Sequence, residues 1–178
     1  MNIPPPSTFV CNHIELIREG GHVLDLACGR GRHTRRLLER GFQVTAVDIN
    51  IEGIADLREQ QSLTTLKLDM EQIGDPWPIS QHMTTRFDGI IVTNYLHRPQ
   101  FPHIAESLAA EGILIFETFM IGNEQYGKPS NPNFLLKEDE LMQAFESLTV
   151  VDFEQGYRAS PSPAVVQSLC ARADRAFT

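Results

Sequence analysis

Leu24-Asp25-Leu26-Ala27-Cys28-Gly29-Arg30-Gly31-Arg32-His33 decides the fold. It reads as a short apolar strand, a turn of small residues and the start of a helix. Glycine at 29 and 31 supplies torsions that a Cβ forbids and lets the main chain approach a ligand closely. Asp25 sits inside an otherwise apolar strand, where a carboxylate is costly unless it meets donors; the turn's amides or a ligand ammonium would supply them. A dinucleotide fingerprint GxGxxG needs a small third residue so that helix and strand pack closely. Counted from Gly29 that place falls on Thr34, and counted from Ala27 on Arg32, which argues against a nicotinamide or flavin site.

Similar apolar runs recur outward from this stretch: 43–48, 65–69, 87–93 and 112–117. They are too short for helices and too apolar for strands with one wet face, which is the pattern of a parallel sheet covered on both sides. Helical stretches fall between them, at Arg32 to Arg40, Glu52 to Gln61 and Pro102 to Ala110. Ser7 or Thr8 caps an earlier helix that carries Phe9, Val10, His13, Ile14 and Ile17, and Gly20-Gly21 ends it. Pro4-Pro5-Pro6 before it is an extended stub. Thr118 to Pro132, with two Gly and two Pro, is expected to be a long loop, and residues 118–136 form the expected substrate loop. Lys137 to Phe145 reads as a helix. Thr149 to Phe153 and Ala164 to Arg172 read as a closing hairpin. The expectation is one α/β domain over residues 1–178: a doubly wound, Rossmann-like, mostly parallel seven-stranded sheet with an antiparallel C-terminal hairpin strand and helices on both faces.

The chain has 178 residues, and at roughly 150 residues per domain a second domain has no room. Fifteen Lys and Arg against twenty-three Asp and Glu leave a net charge of −8, which disfavours a surface that neutralises nucleic-acid phosphates. Three cysteines with no CxxC pair fit a reducing compartment rather than a disulfide framework. With no leader-like start and no apolar run near the roughly 18 residues that span a bilayer, the expected setting is cytoplasmic, away from membranes. The six histidines show no ligand spacing, so no catalytic metal is expected.

Asp25, Ala27, Gly29 and Gly31 resemble the first motif of class I S-adenosylmethionine-dependent methyltransferases, an acidic residue followed by small-x-Gly-x-Gly. Ala27 stands where glycine is more usual; it fits if its φ stays negative, and then narrows the pocket without closing it. Asp48 ends the second strand in Ala-Val-Asp-Ile-Asn, placed to accept both ribose hydroxyls while repelling a 2′-phosphate. By the resemblance, Asp69 meets the adenine amino group and Met70 covers the ring. The resemblance also places Cys28, His33 and Ile49 against the cofactor, and Asn94 against its amino-acid part. Within the superfamily the compact chain and the Phe-Leu-Leu-Lys-Glu-Asp-Glu-Leu segment look similar to small tellurite-resistance-type and thiopurine-type enzymes.

Thr93-Asn94-Tyr95-Leu96-His97-Arg98-Pro99 follows the fourth strand, at the edge where ligands lie in open α/β sheets. It departs from the (Asn/Asp)-Pro-Pro-aromatic signature of enzymes that methylate exocyclic nucleic-acid amines. Tyr95 and His97 are placed to face the acceptor, His97 as a general base where the nucleophile needs one. The expected activity is methyl transfer from S-adenosylmethionine, with S-adenosylhomocysteine as product, to a small acceptor such as a thiol or chalcogen oxyanion. Macromolecular acceptors, tRNA or protein, form the alternative within enzymes. A regulatory protein that binds the cofactor without transfer is the alternative outside them.

Overall fold

Residue parity along the central strands sorts the apolar side chains onto two faces, because successive side chains of a strand point to opposite sides. Leu24, Leu26, Ile90, Val92, Leu114 and Phe116 fall on one face, Val23, Ile91, Ile113 and Ile115 on the other. The computed structural model describes residues 3–74, 77–83 and 86–174. Its strands are β1 (His22–Leu26), β2 (Gln43–Asp48), β3 (Leu63–Lys67), β4 (Phe87–Thr93), β5 (Leu108–Phe119), β6 (Thr149–Arg158) and β7 (Ala164–Arg172). They form one sheet in the order β3-β2-β1-β4-β5-β7-β6. The pairs from β3 through β5 are parallel, and β7 runs antiparallel to both β5 and β6, as expected from the sequence.

α1 (Thr8–His13) and α2 (Arg32–Glu39) cover the odd-numbered face through Phe9, Val10 and Leu37. α3 (Phe101–Glu106) and α4 (Glu140–Ala144) cover the other, where Phe101, Phe116 and Phe145 pack with ring centroids 5.3 to 5.9 Å apart. Each such side chain contributes roughly 1.5–3 kcal/mol by leaving water. The Ser7 hydroxyl accepts the Val10 N–H and caps α1.

Several elements differ from the sequence expectation; the N-terminal helix, expected to carry Ile17, ends at His13 and passes into a 3₁₀ turn, Ile14–Leu16. The helix expected over Glu52 to Gln61 is a kinked 3₁₀ segment, Ile51–Leu57, broken at Ile54. The reason is tertiary: a Cβ on Gly53 would lie 2.8 Å from the Gly29 carbonyl oxygen, so the segment presses its backbone against the Gly-rich turn. The helix expected to reach Ala110 stops at Glu106, since Leu108 pairs with Phe87 at the start of β5. The stretch 118–132 is better anchored than a free loop. β5 runs on to Phe119, Met120 bridges Leu136, and buried Asn123 accepts the Val165 N–H and donates to the Pro129 carbonyl. Leu135 and Leu136 are buried, and Phe134 is half-exposed.

Candidate functional site

Parallel strands deliver their C-terminal ends to one edge, and at the point where strand order reverses, between β1 and β4, a crevice opens. Ala27, Asp69 and Asn94 follow β1, β3 and β4 at that edge, and Asp48 ends β2 there. The turn after β1 is left-handed at Ala27 (φ 57°), Gly29 (φ 56°) and Gly31 (φ 72°). Gly31 is required twice over, because a Cβ there would also lie 2.3 Å from the Ile54 side chain. The negative φ expected of Ala27 is overturned. Its Cβ is held in a conformation that costs an L-residue about 1–2 kcal/mol, imposed by the turn that carries the Cys28 N–H to the Val47 carbonyl. Asn94 is left-handed too (φ 55°), a position asparagine tolerates.

Both Asp48 oxygens accept main-chain donors, Oδ2 from the Gly29 N–H at 2.8 Å and Oδ1 from the Asn50 N–H at 2.9 Å. One carboxylate therefore ties the β1 turn to the β2 end and keeps lone pairs for a ligand. Asp25 is buried on the α2 face, where it accepts hydrogen bonds from the Thr34 hydroxyl and the Thr34 main chain. Burial pushes its carboxyl up to about 6, with the Thr34 hydrogen bonds and the Arg32 charge opposing. Thr34 is thus a site residue that sequence reasoning passed over; it counted only as too large for a dinucleotide turn. His33 is buried, accepts the Ser7 N–H at its Nε2 (3.0 Å), and lies 3.3 Å from the Thr93 hydroxyl through Nδ1. Burial, then the neighbouring Arg32 charge, lowers its pKa to about 3, so the ring is neutral.

Two cavities meet at Ala27. The first, about 380 Å³, is lined by Asp48, Ile49, Asp69, Met70, Glu71 and Tyr95 among others. The second, about 300 Å³, is lined by Pro4, Cys28, Gly29, Arg32, Thr93 and Asn94 among others. The structure brings eight of the expected residues, Ala27, Cys28, Gly29, Asp48, Ile49, Asp69, Met70 and Asn94, to these walls, with Tyr95 as a ninth. Asp25, Gly31 and His33 support the turn without lining either cavity, and residues 118–136 line neither. Buried Gln100 donates to the Met70 carbonyl at 2.5 Å and fixes that wall.

The Tyr95 hydroxyl is buried without a hydrogen-bond partner among the described residues, and Glu71 approaches it without meeting hydrogen-bond geometry. Burial first, then the Glu71, Asp69 and Asp48 carboxylates, raise its pKa well above the ordinary phenol value. Tyr95 is therefore a donor at neutral pH. His97 lies outside both cavities, its Nδ1 3.9 Å from the Glu71 carboxylate. Burial pushes the Cys28 thiol well above its usual range, and the side chain packs with Ala46 and Ile54. Arg32 and Pro4 went unrecognised in the sequence. Arg32 carried a signal as the residue after the second glycine, whereas nothing in the proline stub announced that it folds back over the turn.

The methyltransferase domain family matches residues 23–111, half of the chain. The chain belongs to the class I methyltransferase family. Among its relatives, YqeM of Bacillus subtilis, a protein named as a methyltransferase, is 31% identical over 112 residues, which is 56% of this chain and 42% of YqeM. TehB from Haemophilus influenzae superposes with a TM-score of 0.76 at 19% identity, over 95% of this chain and 63% of that one. The chain spans less than two thirds of either protein. The 1,6-didemethyltoxoflavin-N1-methyltransferase of Burkholderia thailandensis, solved with its acceptor and S-adenosylhomocysteine, superposes at 0.68 with 22% identity, over 93% of this chain and 76% of that one. Both structures share the fold.

Proposed function

We propose that this chain transfers the methyl group of S-adenosylmethionine to a small soluble acceptor, leaving S-adenosylhomocysteine, in a reducing cytoplasmic setting. The observation that carries the reading is the meeting of the two cavities at Ala27. One is walled by carboxylates and apolar side chains that suit an adenosine, the other by a Gly-rich turn, Asn94 and a guanidinium that suit an amino acid. Asp48 accepts from ribose hydroxyls, Asp69 from the adenine amino group, and Met70 and Ile49 cover the ring. The unpartnered Tyr95 hydroxyl fits the same ligand as a donor into the first cavity. In the second cavity Arg32 and Asn94 hold the zwitterionic end.

When bound, the donor supplies an activated sulfonium methyl, so the protein's task is to orient the two reactants, worth up to about 7–11 kcal/mol in favourable cases. A catalytic base is optional under this reading, and His97, outside both cavities, contributes little. Three free cysteines and the net charge of −8 support the setting and count against a nucleic-acid acceptor. Among the described residues no helix is long and apolar enough to cross a membrane. The small molecule, 1,6-didemethyltoxoflavin, bound in the Burkholderia enzyme agrees with this class.

Calorimetric titration with S-adenosylmethionine and S-adenosylhomocysteine tests the reading, with Asp48→Asn as control because it keeps one oxygen for the Gly29 or Asn50 N–H. Both ligands should bind the wild type, and the variant should bind about tenfold more weakly, the scale of a lost charge-assisted hydrogen bond. Absence of binding to the wild type would sink it.

A further inference from the structure

We propose that the groove beneath α1, at the C-terminal ends of β5 and β6, is the acceptor subsite and takes small molecules that carry a carboxylate or a comparable planar oxyanion. The assignment rests on the methyl-transfer reading above. The groove holds about 400 Å³ and is walled by Phe9, Asn12, Glu117, Tyr157, Arg158 and Ser168 among others. Its position is right: Glu117 is the register neighbour of Thr93 across β4 and β5, and Thr93 walls the cavity assigned to the donor's amino-acid end. Two adjacent strands thus place the groove next to the donor site, on the same face of the sheet.

An unpartnered donor identifies the ligand. Glu117 is buried at 2% exposure and already engaged, with Oε1 3.0 Å from an Arg158 guanidinium nitrogen and Oε2 accepting the Ser168 hydroxyl at 3.2 Å. Arg158 is not satisfied in turn: its buried Nε–H has no acceptor among the described residues. Arg32 is near enough to feel both the attraction of Glu117 and the repulsion of Arg158, and its own hydrogen bonds, to Thr93 and the Pro5 carbonyl, are long at 3.5 Å. Arg32 also faces the buried Asp25 carboxylate, so the charges nearly balance, and what the groove leaves open is the buried Arg158 Nε–H donor. The other charged lining residue, Glu154, is exposed and screened by water. A guanidinium with spare donors in a fixed fork matches a planar oxyanion. Phe9, Tyr157 and Val166 give the groove apolar and aromatic surface beside its polar lining, and the Tyr157 ring stands 5.1 Å from Tyr126. An aromatic or short aliphatic carboxylate fits this combination.

The test uses benzoate, succinate and the uncharged isostere benzamide, with and without saturating S-adenosylhomocysteine, read on the arginine Nε–H resonances by nuclear magnetic resonance. Benzoate should shift the Arg158 signal saturably, and benzamide should bind about tenfold more weakly, the scale of a charge-assisted hydrogen bond. Arg158→Lys keeps a cation beside Glu117 while removing the Nε–H; it should weaken benzoate by a similar factor and leave S-adenosylhomocysteine binding unchanged. The proposal is overturned by no saturable shift with either carboxylate in the tens of millimolar, by equal affinity for benzamide, or by benzoate binding unaltered in the lysine variant. Failure of the wild type to bind S-adenosylhomocysteine would instead remove the methyl-transfer reading, whatever the benzoate result.

Discussion

The Thr34 hydroxyl donates to the Asp25 carboxylate at 2.5 Å, joining α2 to β1 with both side chains out of solvent. The Thr34 hydrogen bonds do not fully offset burial, since the Asp25 carboxyl is pushed up to about 6. Folded Asp25 therefore holds more protons than unfolded Asp25 between about pH 4 and 6, and its contribution to stability falls as pH rises through that window, by up to about 3 kcal/mol. Asp25→Asn removes the titration. The wild-type stability minus that of the variant, from urea unfolding, should be about 2–3 kcal/mol smaller at pH 7 than at pH 4. A difference that stays flat would show that Asp25 ionises freely in the fold.

Ala27→Gly should stabilise the protein by about 1 kcal/mol, because glycine carries no Cβ penalty at a left-handed φ of 57°, less the entropy glycine gains unfolded. The midpoint of urea unfolding reads this directly. A destabilised glycine variant would mean that the Ala27 methyl contributes more by packing than the backbone loses by strain.

The two positions show what the sequence could reveal. Periodicity and apolar runs located the strands well, β4 at Phe87–Thr93 and β7 at Ala164–Arg172, because those strands are buried on both faces and carry no competing pattern. Acidic residues at successive strand ends marked where Asp48 and Asp69 would meet. Tertiary contacts set the rest. The φ of Ala27 follows from where the turn must hand its amides, and the 3₁₀ segment Ile51–Leu57 from the approach of Gly53 to Gly29, more than twenty positions away in sequence. Arg158 and Glu117 meet only because β6 and β5 flank β7.

Tyr95 and His97 should separate kinetically. Tyr95→Phe removes the one buried hydroxyl in the first cavity that lacks a partner, and it should weaken S-adenosylmethionine binding by a few-fold to about tenfold, the range for a single neutral hydrogen bond. His97→Ala should change turnover by less than about threefold, far below the 10²–10⁴ that a general base contributes. Initial rates with methyl-labelled donor and a competent acceptor decide between the roles. A hundredfold loss in the alanine variant would make His97 the base after all.

His33 should be the chief acid-labile point on the α2 face. Its Nε2 accepts the Ser7 N–H and its Nδ1 faces the Thr93 hydroxyl, so the neutral ring bridges the start of α1 to the end of β4 beneath the second cavity. With a folded pKa lowered to about 3 from an ordinary 6.5, the unfolded chain takes up a proton that the folded chain refuses. Stability from His33 is therefore complete above about pH 6.5 and declines as pH falls towards 3, by a few kcal/mol, opposite in sign to Asp25. His33→Gln keeps an acceptor for the Ser7 N–H without a titrating ring. In acid unfolding followed by circular dichroism, the glutamine variant should lose less stability than the wild type between about pH 6.5 and 4, even where it starts less stable at pH 7. Parallel loss in the two proteins would show that His33 is protonated in the folded state, and that the bond from Ser7 is not what holds the proline stub over the turn.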